Sequence, residues 1–151
     1  MNIKLENYFL NRFNKFFIEP LSKEVSCSNG WFFLLNWLCK QIEKRLELVN
    51  ETKTEEEKVS FEFLQIKEKF GKLRIYYKTD DEVISHYIAM AESISGYICE
   101  ETGLFDETVG FTTKGWQKTI SKSQSGYGIG WKHCYNDDIL SLWEEIRAEN
   151  E

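Results

Sequence analysis

Apolar residues recur at helical spacing from Leu5 to Ile18, where Leu5, Tyr8, Phe9, Phe13, Phe16 and Phe17 alternate with Asn, Arg and Lys. This spacing predicts a first helix, stopped by Pro20, the one proline of the chain. Ser28-Asn29-Gly30 reads as a second helix start with Asn29 as N-cap, followed by the stripe Trp31, Leu34, Leu35, Leu38, Ile42 and Leu46. Phe33 and Trp37 widen that stripe, which predicts burial on more than one side. The polar run 50–58 (NETKTEEEK) reads as a solvated loop, and nothing after it marks a second domain. The expectation is one domain over 1–151.

From Val59 the period shortens to that of a strand. Val59, Phe61 and Phe63 alternate with polar residues, then Leu64 and Ile66 do so on the opposite parity. A parity switch at Phe63-Leu64 predicts a β-bulge or a strand buried on both faces. The turn falls at Phe70-Gly71, where glycine supplies a positive φ. The return strand places Leu73, Ile75 and Tyr77 on one face, with Arg74 and Tyr76 on the other. Thr79-Asp80-Asp81-Glu82 matches a capping box with Thr79 as N-cap. The helix it opens carries Ile84, Tyr87, Ile88, Ala91, Ile94 and Ile98 on one face and is expected to end near Gly103. Residues 111–121 read as a short strand or hairpin around Gly115-Trp116, residues 123–135 as a glycine-rich loop, and Asn136-Asp137-Asp138 as the cap of a last helix. The fold class expected is α+β: a small antiparallel sheet centred on the 61–78 hairpin, with four amphipathic helices packed against it.

Composition narrows the function classes. Aromatic residues reach 15% of the chain, which suits both a core and a contact surface. The net charge of -6 argues against a generic nucleic-acid binder. The four cysteines (Cys27, Cys39, Cys99 and Cys134) are scattered with no C-x-x-C pair, and no apolar run reaches membrane-spanning length. With no secretory leader pattern, the reading is a cytoplasmic protein with reduced thiols, off the membrane.

Candidate chemistry concentrates in the hairpin. Lys67, Lys69, Lys72 and Arg74 gather positive charge on an acidic chain, and Tyr76 shares the face of Arg74. Such a set serves as the solvated face of a soluble sheet, or it touches a partner; ammonium groups beside rings suit phosphate and base recognition. Trp116, Lys118, Tyr127 and Trp131 complete the candidate partner- or ligand-binding residues. Gly126-Tyr127-Gly128-Ile129-Gly130 lacks the strand and helix that a dinucleotide fingerprint requires. His133-Cys134, even with Cys99, falls short of a four-ligand zinc site. No catalytic motif is present, so neither a metal, a cofactor nor a catalytic residue is assigned.

Four segments together carry a resemblance: the run 30–39 (GWFFLLNWLC), the run 65–77 (QIKEKFGKLRIYY), the run 99–103 (CEETG) and the run 115–119 (GWQKT). Between Cys27 and Lys122 the chain resembles an uncharacterised family of small bacterial and bacteriophage proteins. Many of those carry cysteine pairs that look like a zinc ribbon. Here Thr102 and Ser121 stand at two of the cysteine positions, which implies that the metal site is lost. The resemblance implies a phage or mobile-element setting. The resulting expectation is a non-catalytic binding protein acting on a host protein, for example as an inhibitor of a defence system. The alternative is a nucleotide or nucleic-acid binder using the basic, aromatic hairpin. A catalytic reading would require His133 and Cys134 to meet in space.

Overall fold

The computed structural model describes residues 1–112, 115–121, 131–133 and 136–149; for residue 21 and residues 131–133 the backbone alone is described. The first helix, α1, spans Ile3–Arg12, with Asn2 capping it through Lys4 N–H. It ends well before Pro20. Short 3-10 turns follow at Asn14–Phe16 and Pro20–Lys23. The reason is packing. In one continuous helix Phe9 and Phe17 would be separated by about 12 Å of rise. Their rings instead meet at 5.4 Å, and Phe9 meets Phe13 at 5.4 Å. Breaking the helix lets Phe16 and Phe17 reach Phe63, with centroids 6.3 and 4.9 Å away.

Asn29 does not cap the second helix. It lies in a 3-10 turn, Asn29–Trp31, and its Oδ1 accepts Asn2 N–H at 2.6 Å. The helix α2 spans Phe32–Asn50. Every residue from Leu34 to Cys39 is buried, so its N-terminal half is enclosed on several sides. Phe33 departs from that expectation and stays half exposed, edge-on to Phe32. The acidic loop after α2 is closed at its base by Asn50, whose side chain pairs with both Val59 N–H and Val59 C=O at 2.8 Å.

The first sheet has the order β1-β2-β3. Strand β1 (Val25–Ser26) runs parallel to β2 (Glu62–Lys69), and β3 (Lys72–Lys78) runs antiparallel to it. The sheet is therefore mixed, because the chain leaving the phenylalanine cluster lies down beside β2. The predicted bulge is present: Phe63 pairs with Tyr77 and Gln65 with Tyr76, leaving Leu64 over. The two-residue turn places both Phe70 (φ 54°) and Gly71 (φ 76°) in the left-handed region, as a hairpin of this length demands.

Helix α3 spans Glu82–Ser95 and buries Ile84, Ile88, Ala91 and Ile94. Its N-cap is Asp81 rather than Thr79. Thr79 is engaged in closing the hairpin, donating to Ser60 C=O at 2.8 Å, while Asp81 accepts Ile84 N–H at 2.9 Å and pairs with Arg45 of α2 at 3.0 Å. The helix stops at Gly96, not Gly103, because Ser95 is drawn to the sheet edge, its Oγ accepting Leu73 N–H at 2.8 Å.

A second sheet has the order β5-β4-β6. The expected hairpin around Gly115-Trp116 is formed by β4 (Val109–Thr112) and β5 (Thr119–Ser121). The glycine-rich segment is not loop throughout: Trp131–His133 forms β6, antiparallel to β4. Residues 122–130, 134 and 135 lie outside the described residues. Helix α4 (Asp137–Ala148) is capped by Asn136 as expected and buries Trp143 and Ile146. Its main packing partner is α2. One apolar cluster runs from Phe9 to Ile146, and a satellite of Cys99, Val109 and Ile120 supports the second sheet. No described helix is long and apolar enough to cross a membrane.

Candidate binding surface at the hairpin tips

Register decides which side chains of the hairpin share a face. Glu62 opposes Lys78, Gln65 opposes Tyr76, Lys67 opposes Arg74 and Lys69 opposes Lys72, while Ile66 with Ile75 and Glu68 with Leu73 alternate to the other side. Four of the candidate residues, Lys69, Lys72, Arg74 and Tyr76, thus stand together with Lys67 and Lys78 on one face, away from the core. Lys69, Lys72, Arg74, Tyr76 and Lys78 are exposed and Lys67 is half-buried. Glu62 lies 3.9 Å from Lys78 and Glu92 lies 3.5 Å from Arg74, so acids flank the strip.

Two of the ammonium groups rest on rings. Lys67 Nζ sits 5.8 Å from the Tyr76 ring centre and Lys69 Nζ 5.7 Å from that of Phe70. The rings hold the cations in place as much as they offer contact area.

At the tip, the β2–β3 turn meets the β4–β5 hairpin. Glu68, on the core side of β2, accepts Gly71 N–H at 2.7 Å and the Trp116 indole N–H at 3.2 Å. Thr119 Oγ1 donates to Gly71 C=O, and a Cβ on Gly71 would stand 3.1 Å from the backbone at Lys118 and Thr119. This close approach, together with the positive φ, is why glycine is needed there. Phe70 and Trp116 are left 70% and 73% exposed. They border a cleft of about 370 Å³ lined by Lys67, Glu68, Lys69, Phe70, Trp116 and Gln117.

Lys118 stands off the basic face, on the other side of Trp116 and Glu68 from the tip cleft's lysines. Its ammonium lies 3.2 Å from Glu101 and 3.6 Å from Glu100, in an adjoining opening that holds Cys27 and shares Glu68 and Trp116 with the tip cleft. Glu100 is buried, and its Oε2 has no hydrogen-bond partner among the described residues. Burial pushes its carboxyl up to about 7; Lys118 opposes that rise, and Glu68 and Glu101 add to it. The thiol of Cys27 is pushed up to about 12, chiefly by burial, which makes it a poor nucleophile at neutral pH.

Trp131 lies in β6 opposite Thr112, and His133 opposite Gly110. Tyr127 and Cys134 lie outside the described residues. Cys99 is enclosed with Val109 and Ile120, and among the described residues no group of three His, Cys, Asp or Glu is placed to hold a metal. The sequence reading missed Phe70, Glu68 and Gln117 as parts of the surface. An apolar residue at a two-residue turn was the one local sign of Phe70. No family model matches the chain, and no curated protein and no solved structure matches it either.

Proposed function

We propose that the chain is a non-catalytic binding protein of a phage or mobile-element setting that acts by engaging a host protein, as an inhibitor of a bacterial defence system does. The observation that carries the mode of action is the pair of exposed rings, Phe70 and Trp116, held out on the tips of two different hairpins. Exposed aromatics of this kind are the anchors that dominate binding energy at protein interfaces. Covering each one is worth on the order of 2–3 kcal/mol. Both are set in place before binding: Phe70 by a tight turn, Trp116 by its hydrogen bond to Glu68. A partner therefore pays little to order them. The setting is supported by the resemblance of the four motif segments alone.

The test is photo-crosslinking in bacterial cells with a benzophenone amino acid placed at position 70 or 116. Both positions are expected to yield the same discrete protein adduct. Position 48, an exposed leucine of α2, is the control and yields none. An absence of adducts from 70 and 116, or the same diffuse pattern from all three positions, overturns the proposal.

A further inference from the structure

Resting on that reading, we infer that the segment of the partner seated on this surface is an acidic stretch of polypeptide carrying an apolar side chain for the tip cleft. Charge complementarity is the first argument. Lys67, Lys69, Lys72, Arg74 and Lys78 share one sheet face on a chain whose net charge is -6. Arg74 and Lys78 are met by Glu92 and Glu62. Among the described residues, the free positive charge of this face therefore lies on Lys67, Lys69 and Lys72, nearest the tip, where it can steer an acidic partner.

The size of the strip is the second. From Lys72 to Lys78 the face runs about 20 Å along β3. Past Lys78 the chain turns acidic at Asp80, Asp81 and Glu82, and Glu62 stands across from Lys78. A short acidic peptide fits within those limits. A nucleic-acid strand, which carries charge along its whole length, would run on into the carboxylates.

The third argument is how the rings are used. Tyr76 and Phe70 each already carry a lysine ammonium over the ring. Each ring holds an ammonium group in a fixed position, which is what recognition of a carboxylate needs. The cleft between Phe70 and Trp116, of about 370 Å³, then takes one apolar side chain from the same peptide.

The experiment measures binding of three fluorescent probes to the full chain: a short peptide of glutamates flanking a phenylalanine, the same peptide with lysines for glutamates, and an oligothymidylate of equal charge. The glutamate peptide is expected to bind best, and to weaken about tenfold between about 0.05 and 0.3 M salt. The double variant Lys67→Glu/Lys69→Glu is expected to lose at least about tenfold in affinity. Trp116→Ala weakens binding at unchanged salt dependence, and Lys53→Glu, in the exposed loop, leaves it unchanged. Melting of each variant checks that it is folded. Tighter binding of the oligothymidylate, equal binding of the lysine peptide, or no binding of the glutamate peptide overturns the inference. Adducts at 70 and 116 that survive Lys67→Glu/Lys69→Glu overturn it too, while leaving the protein-binding reading in place. Loss of the adducts from the parent protein removes that reading itself.

Discussion

The carboxylate of Glu68 is shared between the two hairpins: one oxygen accepts Gly71 N–H at 2.7 Å and the other accepts the Trp116 indole N–H at 3.2 Å. A single side chain thereby sets the turn of one hairpin and aims the exposed ring of the other. Glu68→Ala is expected to cost about 1–2 kcal/mol, because it leaves the Gly71 amide without its acceptor. It also frees Trp116. Acrylamide quenching of tryptophan fluorescence, compared with Trp116→Phe, should show the freed indole, and urea unfolding should show the loss. Unchanged stability and quenching would mean that Glu68 does not join the tips.

Ser95 protects the outer edge of the first sheet. Its Oγ accepts Leu73 N–H at 2.8 Å, and Glu92 Oε1 accepts Ile75 N–H at 2.8 Å, so α3 covers amides that an edge strand would otherwise present. Ser95→Ala is expected to destabilise by about 1–3 kcal/mol through an unpaired buried donor. Hydrogen exchange at the Leu73 amide should accelerate well beyond the global change.

Stability should fall as pH rises from about 4.5 to about 7 and level off above. Burial raises the Glu100 carboxyl from its ordinary 4.5 to about 7. An acid whose folded value lies above its unfolded one binds its proton more tightly when folded. Its contribution is therefore complete below about pH 4.5 and is lost progressively as pH rises to about 7, a change on the order of 3 kcal/mol. Asp81 and Glu43 work the other way in a lower window. Both are partly buried, but Arg45 with the Ile84 amide, and Arg12 with Lys15, hold them below the carboxylate range. Their contribution is lost as pH falls below about 4. Glu100→Gln should flatten the fall between about pH 5 and 7 and be the more stable protein at about pH 8, as read by urea unfolding. A parent protein with no slope in that range would contradict the assignment.

Gly30 sits against the backbone of the turn that follows α3. A Cβ there would lie 2.1 Å from Cys99 C=O and 2.6 Å from Glu100 carbonyl carbon, and Gly30 N–H donates to Glu100 C=O at 2.8 Å. Gly30→Ala must push backbone apart, so a loss above about 3 kcal/mol, or failure to fold, is expected. Gly115→Ala, with nothing among the described residues within 4 Å but a φ of +70°, should cost only about 1 kcal/mol. Thermal melts of the two variants compare them directly.

Features that depend on near neighbours were legible in the sequence. The bulge at Leu64, the turn at Phe70-Gly71, the apolar face of α3 and the Asn136 cap all follow from alternation, period and short side-chain bonds. The shared face of Lys69, Lys72, Arg74 and Tyr76 belongs with them, since register follows from a two-residue turn.

Features set by contacts between distant segments were not. The pull of Phe16 and Phe17 towards Phe63 ended α1 early, and the pairing of Val25 with Ile66 made the sheet mixed. Arg45 and Ser60 together moved the cap of α3 from Thr79 to Asp81. Glu100 and Glu101 took Lys118 away from the basic face. The tip site itself depends on Glu68 and Trp116, which stand 48 positions apart. Periodicity reports which residues avoid water within one element; it carries no information about which element each will meet. That choice is made by packing and by the satisfaction of buried polar groups, and only the assembled chain makes it.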